Sequence, residues 1–267
     1  MRKVFLPILC LLFAISCAVA QSGVKIISTQ KMNQMGGMVM NQTVYVAPNQ
    51  IRIDVESPRQ NQQIIFNANK NVFWVIDKKN GTYSEITEAD LGKMAGAVSQ
   101  AMQQMKAQLK NMPPAQRKMM EDMMKKQGMD INMDSAVSVK PPTYKKVKSG
   151  VKINGFTADE YSAYKNNQKT MEGWFVSPSK VGLKKSDMAV FKKLGKFFSK
   201  ISQGRSVMSN FDDENSPGYP VKQIVFTDGQ PTMEMEVKKV ERATFGPDAF
   251  RLPPNLKKKS LFPGMGK

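Results

Sequence analysis

Alternating apolar and polar residues fill two long stretches of this 267-residue chain, one on each side of a helical centre. In residues 51–56, for example, isoleucine and valine alternate with charged residues. A period of two is typical of a strand with one buried face. The pattern returns at 144–176 and 219–242. We therefore predict one antiparallel sheet built by both stretches, whose apolar face requires a helical cover.

Short turn sequences separate the strand-like segments and fix their antiparallel order. They include Pro48-Asn49-Gln50, Lys79-Asn80-Gly81, Ser149-Gly150, Asn166-Asn167-Gln168 and Asp228-Gly229. The Ser149-Gly150 turn is predicted to separate a short strand at 144–148 from another at 151–156.

The helical centre, residues 87–128, predicts two helices. Thr87 with Asp90 three residues later is typical of a helix start, because side-chain oxygens can bind the free amides of a first turn. Pro113 and Pro114 end the first helix and begin the second, and Gly128 ends the second. One apolar stripe follows the first helix at alternating steps of four and three. Its members are Leu91, Ala95, Val98, Met102, Met105, Leu109 and Met112.

A third helix is predicted from Ser186 to near Gly204. Its apolar face consists of Val190, Phe191, Leu194, Phe197, Phe198 and Ile201. Lysines occupy its other face, so the helix can lie on a membrane surface or pack on the sheet with its lysines outward. We favour packing on the sheet.

Methionine is unusually frequent, with 21 in the chain. This flexible thioether suits plain core packing or a deformable cover over an apolar cavity, and it is also a soft ligand for Cu(I) or Ag(I). The candidate metal ligands are Met32, Met35, Met38, Met119, Met120, Met123 and Met124. Because Met38 and Met40 lead directly into an alternating strand, we favour an inward strand face for them.

The first 20 residues resemble a signal peptide, with Arg2 and Lys3, an apolar run at 4–15 and a small-residue cleavage site ending at Ala20. We predict an exported, periplasmic protein without a transmembrane anchor. Cleavage after Ala20 removes both cysteines, Cys10 and Cys17. An outer-membrane lipoprotein anchored through Cys17 is the less favoured alternative.

Charge and composition narrow the range of possible functions. Without Arg2 and Lys3 the chain keeps 38 basic and 22 acidic residues, a net charge of +16. An exported basic chain without a nucleic-acid-binding motif is expected to meet anionic envelope surfaces rather than nucleic acid. The chain has no histidine, which excludes Ser-His-Asp, Cys-His and histidine-ligated metal sites. We predict a non-enzymatic protein without a cofactor.

The order of several short motifs resembles an uncharacterised bacterial exported family that has the half-barrel of the periplasmic lipoprotein carriers (LolA/LolB-like). They are NQIRID at 49–54, WVIDKK at 74–79 with Thr82-Tyr83, KINGF at 152–156 with Glu160-Tyr161, EGWFV at 172–176, PVK at 220–222 and FRLP at 250–253. The resemblance implies an α+β fold, in which a curved antiparallel sheet (an incomplete β-barrel) wraps around helices and leaves an apolar hollow for acyl chains or a lipidated partner.

We accordingly predict a single half-barrel domain at 21–253, with the methionine-rich insert at 87–128, a further amphipathic helix and a flexible basic tail at 254–267. The leading hypothesis is a carrier for a lipid, an acyl chain or another apolar ligand. A Cu(I)/Ag(I)-binding protein and a structural envelope protein on anionic surfaces are the alternatives. The candidate ligand-binding residues, all expected to face inward, are Ile64, Phe66, Trp74, Ile76, Trp174, Val176, Met102 and Met105.

Overall fold

The computed structural model describes residues 20–126, 142–165, 167–199 and 216–260. Residues 1–19 of the predicted signal peptide, the helix ends predicted at Gly128 and near Gly204, Ile201 and residues 261–267 lie outside these ranges. The described chain forms one open, curved sheet with three helices, which confirms the predicted α+β class.

Twelve strands form the sheet, in the order β12-β6-β5-β4-β3-β2-β1-β11-β10-β9-β8-β7. The elements in chain order are β1 (Gln21–Met32), β2 (Met38–Ala47), β3 (Gln50–Glu56), β4 (Asn61–Asn67), β5 (Val72–Asp77), β6 (Thr82–Thr87), α1 (Glu88–Lys110), α2 (Pro114–Lys126), β7 (Thr143–Ile153), β8 (Phe156–Lys165), β9 (Gln168–Val176), α3 (Lys185–Ser199), β10 (Tyr219–Thr227), β11 (Gln230–Phe245) and β12 (Lys257–Lys258).

The two stretches of alternating sequence join at β1, which pairs with β2 on one side and with β11 on the other. β1 therefore links the meander β1–β6 to the hairpins formed after the helical centre. The prediction that both stretches belong to one sheet is confirmed.

The β7–β8 hairpin differs from the prediction. Ser149 and Gly150 lie inside one continuous strand, at a register shift between β7 and β8, and the chain reverses at Asn154 and Gly155 instead. Both turn residues have positive φ, 46° and 84°, which glycine and asparagine tolerate best. The predicted Ser149-Gly150 turn is therefore wrong, because a β-bulge and a turn have the same small, glycine-containing signature.

The sheet curls at this hairpin. The Asn154 side-chain amide donates to a Glu236 carboxylate oxygen at 2.6 Å and to the Val237 carbonyl at 2.8 Å, although β9 and β10 separate β8 from β11 in the sheet. A flat sheet would keep these groups far apart, since neighbouring strands are about 4.8 Å apart.

Helix α3 packs on one face of the sheet, which we call the inner face. Its Val190, Leu194 and Phe197 are buried in the main core. The Phe197 ring lies 5.5 Å from the ring of Phe66, measured between centroids. Asp187, 3% exposed, anchors the helix start through an ion pair of 2.6 Å with Arg242 on β11. Packing on the sheet, the favoured alternative for this helix, is confirmed.

The opposite, outer face has a core of its own, which residues 246–260 cover. This C-terminal strap packs Phe250, Leu252 and Leu256 over Trp74 and Ile76. It then adds β12 in parallel to β6, where the Lys257 amide donates to the Gly81 carbonyl at 3.0 Å. The predicted start of a flexible tail at 254 therefore needs correction, since the chain is held against the sheet to residue 260.

The strap is also held by a polar network. Arg52 donates to the Ala249 carbonyl at 3.3 Å and to the Asp54 carboxylate at 3.0 Å, and Gln63 donates to the same carboxylate at 2.9 Å. Burial opposes ionisation of Asp54, but the hydrogen bonds from Arg52 and Gln63, with the charges of Arg52 and Lys78, outweigh it. The pKa of Asp54 therefore lies below its ordinary value.

Helix α1 begins as predicted, since Thr87 and Asp90 form a reciprocal capping box. Its first two turns reach the main core through Leu91, which is fully buried, and Met94. Farther along, Val98 is 46% exposed. The inner face is thus covered chiefly by α3, and the methionine-rich helices contribute less of that cover than the sequence indicates.

Candidate functional site

A row of aliphatic side chains crosses the inner face beside α3. Register pairs Ile26 with Val44, Val44 with Ile53, Ile53 with Ile64, and Ile64 with Val75. Directly paired residues point to the same face, so the five side chains form one continuous strip across five strands. Ile26 is buried and the other four are half-buried. We call Val44, Ile53, Ile64 and Val75 the floor.

The floor lies between a buried row and a polar row. On one side, the next residues along the same strands are buried or half-buried under α3: Val24, Val46, Ile51, Phe66 and Phe73. On the other side, the next row is polar except for Val55, and it consists of Ser28, Gln42, Val55, Gln62 and Asp77. The floor therefore places accessible apolar side chains next to polar ones, and sites for small molecules combine these two kinds of contact.

The main core extends to Trp174 on β9, in the second half of the sheet. Its half-buried indole packs against the same core as the floor, and Val176 on the same strand is buried in that core. The Lys222 ammonium lies 5.5 Å from the Trp174 ring centroid and pairs with Glu234 at 2.8 Å. An indole beside a paired cation can contact both an apolar chain and a polar head.

The predicted site residues divide between the two faces. Ile64, Phe66, Trp174 and Val176 lie on the inner face, as predicted, with Phe66 and Val176 buried. Trp74 and Ile76 lie on the outer face under the C-terminal strap, because Trp74 pairs with Ile65 whereas Phe66 pairs with Phe73. Their predicted inward orientation is wrong.

Trp74 has a structural role in the outer core. Its indole N–H donates to Glu85 at 2.9 Å, and Lys258 of β12 donates to the same carboxylate at 2.6 Å. The hydrogen bond from Lys258, followed by that from Trp74, lowers the pKa of Glu85 despite partial desolvation. These contacts tie the strap to the sheet and leave Trp74 unable to reach a ligand on the inner face.

The methionines of the helical centre differ in exposure. Met105 on α1 is half-buried, and the Met102 side chain lies outside the described part of the structure. On α2, Met119 is 69% and Met123 is 51% exposed, and Met120 is half-buried. The Met124 and Met35 side chains are not among those described.

Sequence reasoning missed several inner-face residues. Val44, Ile53 and Val75 of the floor are predicted as strand residues but not as site residues, although the alternation that places Ile64 inward also applies to Ile53. Met233 and Met235 were missed because only strand register brings them beside Met32 and Gln30. Their distance in sequence gives no signal of this contact.

Across residues 20–126, 142–165, 167–199 and 216–260, no three His, Cys, Asp or Glu side chains are grouped so that they could share a metal ion. In the same ranges, no helix has the length and apolar character that crossing a bilayer requires.

Neither a protein-family model nor a curated protein matches the chain. Among solved structures, the chain is similar to an uncharacterized conserved protein from Thermus thermophilus, at 7% identity and a TM-score of 0.46, covering 89% of this chain and 90% of that one. It is also similar to MucB, at 9% identity and a TM-score of 0.39, covering 90% and 60%. The match to the MucA/MucB complex of Pseudomonas aeruginosa has 8% identity and a TM-score of 0.40, covering 89% and 58%.

This chain thus spans about three fifths of the length of the MucB chains. Similarity this remote says nothing about what the chain binds.

Proposed function

We propose that the protein is an exported, non-enzymatic binding protein that holds a lipid, an acyl chain or another apolar ligand against the floor of its inner face. The observation that carries this proposal is the strip of Val44, Ile53, Ile64 and Val75, which stays half-buried although a filled core adjoins it. A core designed only for packing would bury such residues fully, since each gains free energy when water is removed.

The apolar surface of the floor can contribute to the free energy of binding. Removing about 100 Å² of apolar surface from water contributes about 2.5 kcal/mol, before the entropy lost on binding is subtracted. A linear acyl chain can follow the strip across the strands and place its polar end at the row of Ser28, Gln42 and Gln62. Flexible apolar ligands suit the floor because this strip of side chains imposes no single shape on the ligand.

Helix α1 is the movable cover in this proposal. Its first two turns are fixed by Leu91 and Met94, whereas its apolar stripe is much less buried at Ala95, Val98 and Met105, until Leu109 is buried again. Unbranched methionine side chains adapt to different ligand shapes at small cost. A ligand on the floor would give this stripe an apolar surface to close against.

The predicted signal peptide supports a periplasmic location, where the positive charge favours association with anionic surfaces. Lys192, Lys193 and Lys196 on the exposed side of α3 support such an association. If association with anionic vesicles is sensitive to salt but unchanged by substitutions in the floor, the structural envelope alternative would be favoured instead.

Fluorescence titration with dansyl-undecanoic acid tests the binding proposal. The double variant V44T/V75T exchanges two floor methyl groups for hydroxyls without changing side-chain volume. We expect affinity to fall about 10-fold, which corresponds to about 1.4 kcal/mol for two hydroxyls in an apolar contact. V39T is the matched control, since Val39 lies on the same strand as Val44, faces the other way and is 51% exposed.

Near-UV circular dichroism verifies that each variant keeps the native fold. Equal affinities for wild type, V44T/V75T and V39T would refute binding at the floor, as would the absence of saturable binding to the wild-type protein.

A further inference from the structure

Five methionines lie side by side on the inner face, at the end of the sheet away from α3. Met32 on β1 is directly opposite both Met38 on β2 and Met233 on β11. One step toward the floor, Gln30 on β1 is directly opposite Met40 and Met235. The prediction of an inward strand face for Met38 and Met40 is confirmed, because they alternate in step with buried Val46.

We propose that Met38, Met32 and Met233, which we call the methionine row, bind one soft monovalent metal ion, Cu(I) or Ag(I). Side chains directly opposite each other on adjacent strands have Cβ atoms about 5 Å apart. Three flexible methionine side chains starting at that spacing can bring their sulfurs together above the central Met32. Thioether sulfur prefers Cu(I) and Ag(I) over hard cations.

The surroundings of the methionine row favour a soft, weakly hydrated cation. On this face the adjacent positions of the three strands are neutral: Ser28, Gln30, Gln42, Met40, Met235 and Val237. Glu234 is one step out of phase with Met233 along β11, and its carboxylate pairs with Lys222 at 2.8 Å. No carboxylate on these positions offers a site to Mg²⁺ or Ca²⁺, which prefer oxygen.

Two further features prepare the row for a metal. All five methionines are half-buried, so part of each side chain is accessible. The Gln30 side-chain amide donates to the Met233 sulfur, which fixes the orientation of that thioether and leaves it a second lone pair. Nearer α3, the same face of β1 and β2 has Val24, Ile26, Val44 and Val46, which are ordinary strand residues.

The row combines residues that are about 200 positions apart in sequence, and it differs from the clusters that sequence spacing indicates. Met35 belongs to the turn between β1 and β2, and the α2 methionines Met119 and Met123 are exposed on a helix. This metal site is independent of the apolar ligand proposed for the floor.

The test uses Ag(I), which mimics Cu(I) without redox chemistry. The full-length chain carries Cys10→Ser and Cys17→Ser, so that no thiol competes for the metal. Native mass spectrometry should show one Ag(I) per chain, and the ¹³C ε-methyl resonances of Met32, Met38 and Met233 should shift on titration.

The variant M32L/M38L/M233L removes the sulfurs while nearly preserving side-chain volume. We expect it to weaken Ag(I) binding at least about 10-fold, the usual scale for loss of a metal-site partner. The matched control M119L/M120L/M123L removes three sulfurs from α2 and should bind as the parent does. The single variant M32L tests the central ligand if the triple variant is unstable.

Three results would overturn the proposal: no bound Ag(I), binding lost only in the α2 control, or binding that is unchanged in both M32L and the triple variant. The second result would move the site to α2, and the first would leave the methionines as a purely apolar surface.

Discussion

Gly23 occupies a position where three parts of the fold meet. A Cβ atom at Gly23 would lie 2.1 Å from the Val46 carbonyl oxygen and 2.6 Å from a ring carbon of Phe245. The first of these neighbours is backbone in the centre of the sheet, so it cannot move without disturbing β2. The residue thus allows β1 to approach both β2 and the end of β11 closely.

We expect G23A to lower the free energy of unfolding by about 2–3 kcal/mol, because overpacking against backbone forces the strands apart. Urea denaturation measures the change. The matched control is G96A, since a Cβ at Gly96 on α1 has no heavy atom within 4 Å. This control should raise stability by about 0.5–1 kcal/mol through helix propensity. A G23A protein as stable as wild type would contradict the close approach.

At the same scale, β5 explains why the site was only partly predictable. Its residues Phe73 and Val75 face the inner core, and Trp74 and Ile76 face the outer core, so all four are apolar. A period of two identifies the inward side only when the other side is polar. The strap that covers the outer face comes from residues 246–260, far away in sequence, and its docking position cannot be derived from the pattern of β5 itself.

The pair Asp187 and Arg242 determines how helix α3 sits on the sheet. Asp187 also accepts a hydrogen bond from the Lys184 amide at 2.9 Å, so one carboxylate holds both the helix start and β11. Arg242 further contacts Ser22 on β1. These contacts fix one end of the helix, while Phe197 and Phe198 fix the other in the aromatic core.

We expect R242Q to lower the free energy of unfolding by about 2 kcal/mol. This is less than the 3–5 kcal/mol typical of a broken buried pair, because the arginine side chain is 36% exposed. Urea denaturation provides the measurement. R251Q is the control, since its partner Asp248 is largely exposed and the change should stay within about 0.5 kcal/mol. Equal losses of unfolding free energy in R242Q and R251Q would show that the buried Asp187 carboxylate does not depend on its pairing with Arg242.

The sequence predicted where the helices start, but it was less informative about what each helix covers. The apolar stripes of α1 and α3 are both evident in the sequence, and periodicity reveals which side of a helix is apolar. It does not reveal what will cover that side. Because α1 starts from β6, near the edge of the sheet, only its first two turns reach the core, whereas α3 returns over the middle.

In the whole molecule, the strap connects two distant parts of the sheet. It begins where β11 ends, crosses the outer face and finishes as β12 beside β6. At its far end the strap is held by Glu85, which accepts hydrogen bonds from Trp74 and Lys258; we call these contacts the tie. The ordinary pKa of Glu85 is 4.5, and its folded pKa is lower. The tie therefore stabilises the fold above pH 4.5 and is lost as the pH falls through the lower, folded value.

We expect acid to loosen the strap before it unfolds the sheet. In a W174F background, the emission of Trp74 should change as the pH is lowered below about 4.5, in the range where Glu85 takes up a proton. K258A removes the largest cause of the pKa shift and should move this transition to higher pH. An identical transition in the W174F protein with and without K258A would contradict the role of Lys258.

At this largest scale, the sequence indicated a single sheet, because both stretches of alternation needed the same cover. It did not indicate which strands would meet, since either end of the first meander could have paired with the second set of hairpins. The outcome depends on long-range register between β1 and β11, where a bulge after Ile27 adjusts the fit.

The seam between β1 and β11 pairs Gln21 with Phe245, a residue of the first strand with one of the last long strand. During synthesis, a ribosome must release the chain as far as residue 245 before the whole seam can form, because β11 ends at Phe245. Until then, β1 has an unpaired border that carries Val24 and Ile26, and such a border readily recruits other polypeptides. The nascent protein therefore depends on being kept apart from its neighbours until its last strands arrive.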